Sequence, residues 1–140
     1  MAKILIPFDG SESSMRAVRH VIAMTTDPAR HEIHLLHVED ITHLGTDDSF
    51  WQGGTKEKLL ANGERVLVPA KQACEQAGLV CHTHASIGIP GNDIPTYARS
   101  LGCDSIVMGT RGMSAIASFF IGSVAQRVIH NSEIPVTLVR

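Results

Sequence analysis

SIVMGTRGMSAIASFFIGSVAQRVIH, residues 105–130, holds a buried-strand run, a glycine-bearing loop and a helix start in one stretch. Ser105 to Met108 reads as a short apolar strand and Gly122 to His130 as a helix. Between them Gly109 and Gly112 stand three apart, and Gly122-Ser123 follows nine residues later. Glycine at a strand exit lets the backbone approach a ligand closely and leaves its amides unobstructed. The first amides of a helix have no partner inside it, and the helix dipole favours an anion there. Ser123 adds a hydroxyl, and Arg111 adds a guanidinium suited to a terminal phosphate. The stretch therefore fits a phosphate cradle approached from two directions. Turn chemistry alone gives an equal fit to two glycine turns and a helix capped by Ser123. Neither the P-loop Gly-Lys-Ser/Thr nor the dinucleotide G-x-G-x-x-G occurs.

Working outward, the same strand-then-helix unit recurs. Lys3 to Phe8 is a strand candidate ending in Asp9-Gly10-Ser11. A helix follows, with Ser11 or Ser13 as its N-cap and Met15, Val18, Val21 and Ile22 on its apolar face, stopping near Asp27-Pro28. Glu32 to Val38 is a second strand. Residues 40–54 read as an irregular connection or lid. Lys56 to Ala77 is a long helix in which Pro69 predicts a kink or break, with Gly78 as its stop. Leu79 to Ile87 is a third strand, Pro90 to Leu101 a short helix, and Pro135 to Val139 a last strand. Alternating strands and helices predict a doubly wound, five-stranded parallel α/β sheet, and the order 3-2-1-4-5 puts strands one and four side by side. The exits at Asp9 and Gly109 then border one crevice, where ligands of such sheets sit.

The chain has 140 residues, 44% of them hydrophobic, which predicts one ordinary globular domain over 1–140. A net charge of −2 gives no footprint for nucleic acid or an anionic membrane surface. The apolar run after Lys3 is too short for a signal-peptide core, and no stretch of ~20 apolar residues exists. Cys74, Cys81 and Cys103 are odd in number with no C-x-x-C, which predicts reduced thiols in a cytoplasm. The eight histidines raise the question of a metal. His34 and His37 should point to opposite faces of their strand, whereas His82 and His84 share one. With Cys81 turned the other way and no carboxylate nearby to complete a four-ligand set, surface histidines and no metal are expected. Phe119-Phe120-Ile121 is expected in a core or interface.

At this point the chain resembles the universal stress protein (UspA-like) family. The likeness rests on Gly109-x2-Gly112-x9-Gly122-Ser123, on the opening Ile4-Leu5-Ile6-Pro7-Phe8-Asp9-Gly10-Ser11, on Leu35-Leu36-His37-Val38, and on the closing Ile134-Pro135-Val136-Thr137-Leu138-Val139. It spans the whole chain and is specific in this order and spacing. It implies an adenine nucleotide α-hydrolase-like fold that holds ATP, with Mg2+ as a companion. Asp9 would meet the ribose or the phosphate–metal region, Pro7 would line the pocket, and Val38 would meet adenine through its backbone. Met108, Gly109, Arg111, Gly112, Gly122, Ser123 and Val124 would surround ribose and phosphates. The full glycine pattern places the chain in the ATP-binding branch, and the last strand is implied to form a homodimer.

No catalytic dyad is visible, and Asp9 is the only carboxylate placed near the phosphates, so at most slow ATPase activity is expected. Two other functions stay open: a nucleotide α-hydrolase enzyme, and a dimeric scaffold whose glycine loop is purely structural.

Overall fold

The computed structural model describes residues 1–42, 54–111 and 121–140. The expected lid at 40–54 therefore lies largely outside the described residues, as do Gly112, Phe119 and Phe120. Five strands, β1 (Ala2–Pro7), β2 (His31–Asp40), β3 (Val80–Gly88), β4 (Ser105–Gly109) and β5 (Val136–Val139), alternate with four helices, α1 (Glu12–Met24), α2 (Thr55–Gln76), α3 (Pro90–Ser100) and α4 (Ser123–Asn131). All strand pairs are parallel, in the order β3-β2-β1-β4-β5. The doubly wound sheet expected from the sequence is the observed one.

Alternation along the strands divides the core in two. Ile6, Ile33, Leu35 and Val107 face Val18 and Val21 of α1 and Leu67, Ala70 and Cys74 of α2. Leu5, Leu36, Ile106 and Met108 face Ile94 and Ala98 of α3 and Ala125 and Val128 of α4. Both faces are covered, which is why β1 reads as a continuous apolar run rather than an alternating one. Each fully buried side chain such as Leu35 or Ile106 contributes about 1.5–3 kcal/mol.

The helix ends follow local chemistry. The Ser11 hydroxyl accepts from the Ser14 amide and caps α1. α2 and α3 end alike. Gly78 and Gly102 take left-handed φ values of 77° and 69°. The amides of Leu79 and Cys103, one residue further on, donate back to Cys74 and Ala98. This is the Schellman arrangement, which satisfies the orphan carbonyls. Of the kink or break expected at Pro69, the break does not occur, because α2 runs through it. Leu67, Ala70 and Cys74 anchor the helix on either side, and Pro69 faces solvent, where water reaches the carbonyl it leaves unbonded.

Candidate functional site

β1 is the point at which the strand order reverses: the chain passes outward to β2 and β3, then returns to β4 on the other side. At the carboxyl ends of these strands lies a crevice of about 600 Å³, within the ~300–1,000 Å³ usual for small-molecule sites. β1 and its exit bring Pro7 and Asp9, and β2 brings Val38. β4 and its exit bring Met108, Gly109 and Arg111, and the start of α4 brings Gly122, Ser123 and Val124. These are all the expected site residues except Gly112.

Two exits are held in place by local bonds. Asp9 Oδ1 accepts the Ser11 amide at 2.9 Å, so this carboxylate does close an Asx turn, and Gly10 supplies the turn's φ of 84°. Its other oxygen takes no hydrogen bond among the described residues and is free for a ligand that enters the crevice. Across the gap, the Gly122 amide donates to the Thr110 carbonyl at 2.6 Å, which ties the start of α4 to the β4 exit. Gly122, not Ser123, is the N-cap residue, and no side chain caps α4. The start of this helix therefore borders the crevice with the partial positive charge of the helix end and, among the described residues, no side-chain partner for its opening amides.

Gly109 has a packing role in addition to its place in the lining. A Cβ there would stand 2.3 Å from Ser13 Oγ and 2.6 Å from the Ser13 carbonyl oxygen. This glycine permits a close approach between β4 and α1 as well as standing in the lining of the crevice. Ser13, which the sequence offered only as a second choice of N-cap, is the residue that reasoning missed. Its hydroxyl accepts the Arg111 amide at 3.2 Å and so sets the path of the β4 exit. The lining also corrects the expectation of a lone carboxylate, since Glu39 and Asp40 join Asp9 there. β2 runs two residues beyond its expected end, so these two stand at the crevice rather than in a loop. His37 is a further unforeseen lining residue. Its Nδ1 donates to the Phe8 carbonyl at 2.8 Å, bridging the ends of β1 and β2.

The universal stress protein family model matches residues 1–140. Universal stress protein MJ0531 of Methanocaldococcus jannaschii is 36% identical over 99% of this chain and 81% of its own length. The chain belongs to the universal stress protein family. The solved structure of protein MJ0577 from the same organism superposes with a TM-score of 0.87 at 32% identity, covering 99% of this chain and 94% of that one. A universal stress protein family structure from Arabidopsis thaliana with AMP bound shares the fold at 19% identity, with a TM-score of 0.71 over 99% of this chain and 91% of that one. Among the described residues, no helix of this universal stress protein is long and apolar enough to cross a membrane.

A second cluster lies on the α3/α4 face of the sheet, towards the amino ends of β2 and β3. His82 and His84 do share a face, and His34 and His37 do point oppositely. The expectation that no carboxylate stands near the histidines is corrected, because the register pairs His34 with His82 and Leu36 with His84, placing Glu32 in the same group. Periodicity along one strand cannot disclose this, since register is a property of two. His34 Nε2 stands 2.8 Å from Glu32 Oε1, and His82 Nε2 stands 3.5 Å from the same oxygen. His34 Nδ1 meets His84 Nε2 at 2.9 Å. The His34 ring is stacked with those of His82 and His84, with centroids 5.0 and 5.2 Å apart. The hydrogen bond from His34, aided by the charge of Lys3, holds the Glu32 carboxyl below its usual range. Burial, with His34 and His82 adding repulsion, pushes His84 below the usual histidine value. With Glu32 ionised, Nε2 of His34 carries the hydrogen of that bond. In the neutral ring Nδ1 is then the acceptor and His84 the donor.

Proposed function

We propose that this universal stress protein binds ATP in the crevice between the β1 and β4 exits and acts as a nucleotide-dependent regulator in the cytoplasm. The observation that carries this reading is the uncapped start of α4, facing the two strand exits across a crevice of ligand size. In this reading the phosphates lie against the amides at Ser123 and Val124, with Gly122 beside them leaving room for close approach, and Arg111 pairs with the terminal phosphate. Asp9 meets the ribose, Val38 meets the base through its backbone, and Met108 lies against the ribose and phosphates. Three carboxylates against one guanidinium make the described lining acidic, which suits a metal-bound nucleotide better than a bare triphosphate. Mg2+, when present with the nucleotide, supplies charge neutralisation at the phosphates.

The same lining argues for slow turnover at most. Asp9 already holds the Ser11 amide, and the described histidine–carboxylate pair of the lining, His37 with Glu39 at 3.2 Å, stands at the end of β2 beside Val38, where this reading puts the base rather than the phosphates. The three free thiols accord with a reducing cytoplasm. β5 is an edge strand carrying half-buried Val136, Leu138 and Val139, which supports a homodimer built through it. Sedimentation at micromolar concentration tests this, and a monomer would refute it.

The deciding experiment is to purify the protein, denature it and identify the released nucleotide. Recovery of ATP supports the proposal. Steady release of AMP and pyrophosphate would instead favour a nucleotide α-hydrolase. One observation favours a ligand-free scaffold: Gly109 is already explained by its contact with Ser13. Titration separates the two, because a scaffold shows no saturable binding at millimolar ATP.

A further inference from the structure

We infer that Glu32, His34 and His82 form a binding site for a divalent transition metal of the zinc class, braced by His84 and separate from the nucleotide crevice. Their ligand atoms lie within 4.8 Å of one another. Zinc bonds to nitrogen and oxygen at about 2.0–2.1 Å, which sets tetrahedral ligands roughly 3.3 Å apart. The Glu32–His82 separation of 3.5 Å is already close to that, and the 2.8 Å between Glu32 and His34 needs only a slight opening. Two imidazoles and one carboxylate are the donor set of a three-ligand zinc site with its fourth position left to water. Imidazole nitrogen selects zinc and its neighbours over the oxygen-seeking Mg2+ and Ca2+.

The surroundings fit the same chemistry. The His34 side chain is 7% exposed and that of Glu32 19%, whereas that of His82 is 50% exposed. Two ligands are therefore held rigidly by the sheet, and the third stands at the entrance. His84 does what metal-bound histidines ask of a neighbour: it holds the far ring nitrogen and so fixes the ring. When Nε2 of His34 gives its hydrogen to solvent and takes the metal, Nδ1 takes the hydrogen of His84 Nε2 along their 2.9 Å bond, and His84 Nδ1 regains one from solvent. The proton count is unchanged, and the bond reverses direction. β3 is an edge strand that α3 and α4 touch only marginally. A metal bridging His82 to Glu32 and His34 would clasp that edge to β2.

The test uses the metal-free full chain. Zn2+ is titrated by calorimetry, and Co2+ is followed by its visible absorption. Expected is one Zn2+ per chain, undisturbed by a hundredfold excess of Mg2+. His84→Ala weakens Zn2+ by about tenfold, the loss typical of an outer hydrogen-bond partner, and His82→Ala and Glu32→Gln weaken it by at least as much. His130→Ala, an exposed histidine on α4, leaves it unchanged. Zn2+ also raises the melting temperature of the wild type but not of His82→Ala. His82 is half exposed, so its variant keeps the fold, which circular dichroism verifies. The inference is overturned if the wild type shows no saturable one-to-one binding. It is equally overturned if folded His82→Ala and Glu32→Gln both bind as the wild type does.

Discussion

Where the β4 exit meets the start of α4, the crevice is lined by backbone and mostly small residues, among them Gly109, Thr110, Gly122 and Ser123. The cluster of Glu32, His34, His82 and His84 is built from side chains that meet only because two strands pair in one register. One site lies where chains turn, and the other lies on the body of two strands. A turn-built site writes its requirements into a contiguous stretch, since each glycine or cap answers a local backbone demand. A strand-built site spreads its donors over residues 32–84, and no local demand marks them.

The comparison is tested most severely at Gly109, where a local signal turned out to have a tertiary cause. Gly109→Val should destabilise the fold by about 3 kcal/mol or more, because the new side chain meets Ser13 backbone atoms that cannot move aside. Urea unfolding reads this directly, and a variant as stable as the wild type would remove the packing role of Gly109. Gly122→Val makes the opposite case. Its φ of −59° and ψ of 157° suit any residue, so the fold should survive. ATP should bind at least a hundredfold more weakly, about 2.7 kcal/mol. Wild-type affinity in that folded variant would remove the cradle.

Smaller effects sharpen the contrast. Asp9→Ala should weaken ATP by about tenfold, roughly the worth of one bond to a charged group, with a modest further loss of stability from the broken turn. Ser13→Ala removes the acceptor of the Arg111 amide and should cost about 1 kcal/mol in unfolding experiments. His84→Ala should leave ATP affinity unchanged in calorimetric titration, because His84 lines no part of the crevice. A change larger than that of Asp9→Ala would mean that the two sites communicate through β2 and β3.

Much of the fold was legible because both faces of a parallel sheet are buried, so its strands show as short apolar runs between turn residues. Gly78 was readable as a helix stop because a left-handed residue is a local need. The boundaries of β2 were not readable, since Glu39 and Asp40 are polar and enter the strand only through pairing with β3. Pro69 does not break α2 for a related reason. Its local cost is real, and packing of Leu67, Ala70 and Cys74 outweighs it.

The sequence by itself determined the alternation of elements, the doubly wound order and the two exits that face each other across β1, because periodicity, caps and glycine turns are local physics. Only the tertiary structure decided that Gly109 makes room for Ser13, that Glu39 and Asp40 reach the crevice, and that Glu32 stands among three histidines. Each of these depends on which residues of distant segments lie side by side, and close packing settles that for the whole molecule at once.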